Sequence, residues 1–148
     1  MIFLICWLLL DGFWQYRLLR QVADTHRQFA GKETTEKLAA GPDSRFYHLA
    51  QRAQQHVDGE KSRVFVSSSD DYHGLRTAYY LYPHNPYYRV RGDELPHPEH
   101  LRTGDYILIV HPARTQFRRQ LGIVQTQWGH VPVDSLFSED SGTLLRVK

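Results

Sequence analysis

The chain has 148 residues and a formal net charge of +2, from 18 basic and 16 acidic side chains. That length holds one domain with a substantial core rather than two, and so even a charge balance gives no ground to expect nucleic-acid binding. A single cysteine, Cys6, excludes an internal disulfide framework and a cysteine zinc site.

The N-terminus carries the strongest signal. In "MIFLICWLLLDGFWQYRLLRQ" the stretch Ile2 to Leu10 is unbroken apolar sequence. Trp14 and Tyr16 suit an interfacial aromatic belt, and Arg17 and Arg20 suit the headgroup edge. A spanning helix needs roughly 20 mostly apolar residues. The run is shorter than that, which is expected if further membrane segments precede it. A cleavable signal peptide fits badly: no basic segment leads the run and no small-x-small site follows. Residues 1–30 are therefore read as a membrane-associated helix ending at Gly31. The local arginines alone would put the body of the chain in the cytoplasm.

"GKETTEKLAAGPDS" is polar and punctuated by Gly41 and Pro42, so 31–42 reads as a linker. Asp43 or Ser44 can cap the next helix. Phe46, Leu49, Ala50, Ala53 and Val57 then form one apolar stripe at helical spacing. "RVFVSS" reads as a buried strand. Tyr72, Leu75, Ala78, Tyr79 and Tyr82 share a second helical face, expected to pack on the sheet, and Pro83 stops that helix. "YYRVR" from Tyr87 reads as a strand, "GDELPHPEHLRTG" as a turn-rich loop, and "DYILIVHP" as a central strand. A weaker strand around Leu121–Gln125 precedes a hairpin, "HVPVDSLF" and "TLLRVK" joined by "SEDSG".

The order implies an α/β fold. A membrane-associated helix is followed, over residues 43–148, by a small mixed-sheet α/β domain with a βαβ unit at 63–91 and a C-terminal β hairpin.

Chemistry is harder to place. "SSSDDYHGLRTAYYLYPH" (67–84) sets hydroxyls and two carboxylates where the first strand meets its helix, the edge where open α/β sheets bind ligands. On one reading, Ser68, Ser69, Asp70, Asp71 and Tyr80 bind a ligand, with Asp70 and Asp71 holding a metal or acting as acid and base. On the other, a serine or Asp70 caps the helix and both acids favour its positive end. A phosphate loop is disfavoured, since no glycine cradle is present and two carboxylates repel an anion. His97 and His100 lie three apart, but Pro96 and Pro98 keep them off a helix face, so no metal site is expected. No cofactor motif or nucleophile elbow is recognisable.

Taken together, the apolar helix, "RVFVSSSDDYHGLRTAYYLYPHNPYYRV", "LRTGDYILIV" and "GTLLRV" resemble the C-terminal region of bacterial multi-span membrane proteins similar to membrane glycosyltransferases and envelope polysaccharide proteins. The motifs are a Y-x-L-Y-P helix end and a G-D-Y strand start. In that family the catalytic carboxylate lies among upstream membrane helices, so the resemblance carries over no catalytic residue. It implies an accessory domain of envelope polysaccharide assembly, on the periplasmic side of an inner membrane. Expected partners are membrane lipid, upstream spans, and polysaccharide or a lipid-linked sugar. A stand-alone anchored enzyme using Asp70 and Asp71 is the alternative.

Overall fold

The computed structural model describes residues 2–59, 61–90 and 95–148. The chain divides into two compact units, Met1–Gly41 and Pro42–Lys148.

The first unit is two helices. α1 spans Ile2–Phe29 and buries none of its residues. It is long and apolar enough to cross a membrane. At 1.5 Å per residue its apolar and aromatic part, Ile2 to Tyr16, is roughly 22 Å long. Gly31, at φ +73°, turns the chain out of the helix. The segment expected to be a bare linker instead forms a short helix, α2 (Thr34–Ala40). Its start is held by a capping box in which the Glu33 N–H donates to Glu36 at 3.0 Å. Local capping chemistry thus makes a helix where composition suggests a loop.

The second unit runs α3 (Ser44–Gln54), β1 (Arg63–Ser67), α4 (Asp71–Tyr80), β2 (Asn85–Tyr88), a 3-10 turn at Pro98–His100, then β3 (Tyr106–Val110), β4 (Gln116–Arg118), β5 (Ile123–Thr126), β6 (Gly129–Glu139) and β7 (Gly142–Val147). One open seven-stranded sheet has the order β2-β1-β3-β7-β6-β5-β4. β1 pairs parallel with β2 and β3, and every other pairing is antiparallel. The fold is α/β, with the βαβ unit β1-α4-β2 and the terminal hairpin β6-β7.

Strand alternation sends successive side chains to opposite faces. The outer face, with Val64, Val66, Leu108 and Leu144, carries α3 and α4. Gly142 of β7 lets α3 approach so closely that a Cβ there would press on Leu49. The stripe Phe46, Leu49, Ala50, Ala53 and Val57 is buried, as its spacing requires. The inner face carries Phe65, Ile107, Ile109, Leu145 and Val147. These join Val124, Val131 and Val133 of β5 and β6 in one apolar cluster, so the far strands fold over the near ones. Asp105, in the turn before β3, accepts from Arg63 Nε at 2.8 Å and from the Arg102 N–H at 2.6 Å, which ties that turn to β1.

Two sequence expectations fail here. The α4 stripe Leu75, Tyr79 and Tyr82 is not the core face: these side chains are 48%, 69% and 80% exposed. α4 instead buries Gly74, Thr77 and Tyr80. Gly74 decides the rotation, because its bare backbone lies against the Tyr88 ring of β2. The strand expected from Tyr87 is Asn85–Tyr88, two residues earlier. Its expected last residue, Arg91, lies outside the described residues, as do 92–94 of the turn-rich loop.

Candidate functional site

The parallel strands β2, β1 and β3 end at one edge. α4, which connects β1 to β2, lies on the outer face. The connection from β2 to β3 places Leu95 in the inner-face cluster with Phe65 and Ile107. From its carboxyl end β1 leads through α4 to β2 on one side, and β3 leads to β4 at the opposite end of the sheet, which makes a topological switch point between the carboxyl ends of β1 and β3, where open α/β sheets bind ligands.

The loops at that point are bonded to each other. The Ser69 N–H and hydroxyl both donate to the Pro112 carbonyl, at 2.9 and 2.8 Å. The Ser68 hydroxyl reaches the same oxygen at 3.4 Å. Ser67 and Thr115 share a hydrogen bond of 2.6 Å between hydroxyls. Each of the five residues singled out in the sequence has a partner within the fold. Asp70 is the N-cap of α4 and accepts from the His73 N–H at 3.0 Å. Asp71 accepts from the Tyr88 hydroxyl at 2.7 Å. Tyr80 sits at the other end of α4 from Asp70, buried, where its hydroxyl accepts from Arg76 at 3.0 Å. The structure therefore gathers Ser68, Ser69, Asp70 and Asp71 at the sheet edge and leaves Tyr80 apart.

Tyr80 belongs to a polar clamp between α3 and α4. Asp43, at the N-cap position of α3, makes no side-chain cap bond. Its carboxylate accepts from the Tyr72 hydroxyl at 2.5 Å and from Arg76 Nε at 2.6 Å. The Tyr72 hydroxyl, with Arg76 beside it, holds the Asp43 carboxyl below the usual carboxylate range. The same bond raises the Tyr72 phenol. Burial lowers the His84 imidazole.

On the inner face at the same edge lies a polar cleft of about 480 Å³, floored by Ile109 and Phe117. Its polar walls are His111, Thr115, Gln116, Arg119, Ser138 and Thr143. The register explains it. Ser138 pairs with Thr143, Thr143 with Ile109, and Ile109 with Ser67, so one row across four strands points to one face. Three of its four members carry hydroxyls, and Ser138 and Thr143 bond each other at 2.9 Å. Ser67 and Thr143 are buried. Sequence reasoning missed Thr143 and Ser138, which only strand pairing brings into a row with Ser67, and Arg119, which reaches the cleft from just beyond β4. A more apolar cleft of about 460 Å³ lies along β2, where Tyr87 stacks on Phe65 with ring centroids 5.1 Å apart.

Among the described residues, no group of three or more His, Cys, Asp or Glu side chains is arranged to hold a metal ion. In comparisons with known proteins, no family model, curated protein or solved structure matches the chain.

Proposed function

We propose that the chain is a membrane-anchored accessory protein of envelope polysaccharide assembly, with α1 in a bacterial inner membrane and residues 42–148 acting as a binding domain on the periplasmic side. The observation that carries the anchor is the exposure of α1. Ile2, Phe3, Leu4, Leu9 and Phe13 are all more than half exposed, and no residue of the helix is buried. Leaving each such side chain in water rather than in an apolar medium costs about 1.5–3 kcal/mol, so lipid is the natural cover. The polysaccharide role rests on the resemblance of the segment order. Binding is favoured over catalysis because Asp70 caps α4 and Asp71 holds the Tyr88 hydroxyl. Both carboxylates are already engaged where an acidic enzyme would need them for substrate.

Three measurements test the reading. The full chain should stay with membranes through carbonate and high salt, since apolar burial is insensitive to screening. Alkaline phosphatase fused after Lys148 should be active, as that enzyme folds only in the periplasm; an inactive fusion would put the domain in the cytoplasm. A strain lacking the chain should lose or shorten a surface polysaccharide, and Asp70→Asn or Asp71→Asn should restore it when supplied in trans. Failure of both variants to restore it, with normal protein levels, would favour the enzyme.

A further inference from the structure

We propose that the inner-face cleft at the carboxyl ends of β1 and β3 binds a polyhydroxylated anion, that is, a sugar bearing a carboxylate or a phosphate. The inference deepens the proposed function and rests on it only for the biological setting; the ligand chemistry comes from the cleft itself.

The position is one where ligands collect, beside the topological switch point. The volume, about 480 Å³, lies within the roughly 300–1,000 Å³ of small-molecule sites. The lining selects the chemistry. The buried cluster on the inner face is aliphatic and aromatic, so an unrelieved core would close over Ile109 with more of the same. Instead Thr143, buried at 4% exposure, and Ser138 put hydroxyls there. Two hydroxyls together carry two donors and four acceptor sites. Their mutual bond at 2.9 Å uses one donor and one acceptor, leaving a donor and acceptors at the cleft wall. Groups that both give and accept are what a sugar's own hydroxyls pair with.

Charge sets the rest. Arg119 lines the cleft, and no Asp or Glu does so among the described residues. The nearest acid in the row of β6, Glu139, follows Ser138 and so points to the other face, where it pairs with Arg52 at 3.7 Å. A guanidinium with no carboxylate beside it offers a forked, charge-assisted pair to an oxyanion. Gln116 and His111 add a further amide and ring nitrogen. Phe117, at the floor, gives an apolar surface for a pyranose face.

The test uses the full chain in detergent micelles, titrated calorimetrically with glucuronate, glucose 1-phosphate, glucose and inorganic phosphate in turn. The two charged sugars should bind saturably in the millimolar range, and glucose about tenfold more weakly, the scale of one charge-assisted hydrogen bond. Whichever charged sugar is tighter identifies the anion as carboxylate or phosphate. Arg119→Gln should bring that sugar down to the affinity of glucose, and Ser138→Ala should weaken both sugars and leave their ratio intact. Both side chains are exposed, so both variants should melt like the parent. The inference is overturned if neither charged sugar saturates, if inorganic phosphate binds as tightly as glucose 1-phosphate, or if neither substitution alters binding. A chain that fails this titration but still anchors in membranes and restores polysaccharide refutes the cleft and leaves the broader role standing.

Discussion

Gly74→Ala separates two ways of reasoning about α4 by sign. Helix propensity alone says the change helps, since alanine is favoured over glycine by about 1 kcal/mol in a helix interior. The structure says it harms. A Cβ at Gly74 would overlap Cδ2, Cε2 and Cζ of the Tyr88 ring. That ring cannot swing away freely, because its hydroxyl is held by the Asp71 carboxylate at 2.7 Å. Overpacking costs about 1–3 kcal/mol. Displacing the ring gives up a hydrogen bond to a charged group, about 1.5–3 kcal/mol. Set against the propensity gain, the net loss is about 1.5–5 kcal/mol. Urea titration of the detergent-solubilised full chain, followed by near-ultraviolet circular dichroism of its packed tyrosines, measures it. In a Tyr88→Ala background the obstruction is gone, and the same Gly74→Ala should stabilise. A higher urea midpoint for Gly74→Ala in the parent would refute the close approach of α4 to β2, and with it the rotation of the helix.

Other outcomes follow from the same contacts. Leu49→Ala should cost about 2–5 kcal/mol as a core truncation beneath the sheet, whereas half-exposed Leu75→Ala should stay within about 0.5 kcal/mol; comparable costs in urea would contradict the burial pattern. Asp70→Asn should leave stability nearly unchanged because asparagine caps as well, and Asp70→Ala should cost about 1 kcal/mol; saturable manganese or calcium binding that the alanine variant loses would overturn the capping role. Asp43 is depressed in the fold by Tyr72 and Arg76, so its contribution is complete above about pH 4, the unfolded carboxylate value, and is lost as pH falls through the folded one. Tyr72 is raised, so its share holds below about pH 10 and is lost at higher pH as the phenol ionises. Asp43→Asn should lower stability at neutral pH and flatten the acid limb of a thermal-melt series; an unchanged acid limb would remove Asp43 from the account.

The fold was readable where one pattern admits one geometry. The spacing of Phe46, Leu49, Ala50, Ala53 and Val57 leaves α3 a single apolar face, and that face is the buried one. "DYILIV" has no polar side chain after Tyr106 to point outward, which suits only a strand covered on both faces, and β3 lies inside the sheet. α4 defeated the same reasoning because it has two candidate faces. Tyr72, Leu75, Tyr79 and Tyr82 score as the more apolar, yet the helix turns Gly74, Thr77 and Tyr80 inward. What a glycine permits is proximity, and a hydropathy pattern gives proximity no weight. Tyrosine adds to the ambiguity, since its ring can face solvent under an arginine, as Tyr79 does beneath Arg76 with 5.7 Å between guanidinium carbon and ring centre. β4, three residues long, falls below what alternation can distinguish from loop.

The site was readable to a different depth. That ligands would gather at the end of β1 follows from order alone, because a strand leading into a helix within a parallel unit fixes which edge is the carboxyl edge. Which face of that edge is open depends on register. Ser67 opens the serine run at the end of β1, but its side chain points away from Ser68 and Asp70 and towards Thr115. Thr143 and Ser138 are remote in sequence and join it only through the pairings β1-β3, β3-β7 and β7-β6. A one-residue slip in any of these would carry the hydroxyls to the helix-covered face. The β-bulge between Ser135 and Phe137 of β6 sets that parity for Ser138. Were Leu136 paired to Leu144 in regular register, Phe137 would come opposite Thr143 and Ser138 would turn to the α3 side. The pair of hydroxyls at the cleft wall thus hangs on one irregularity in one strand.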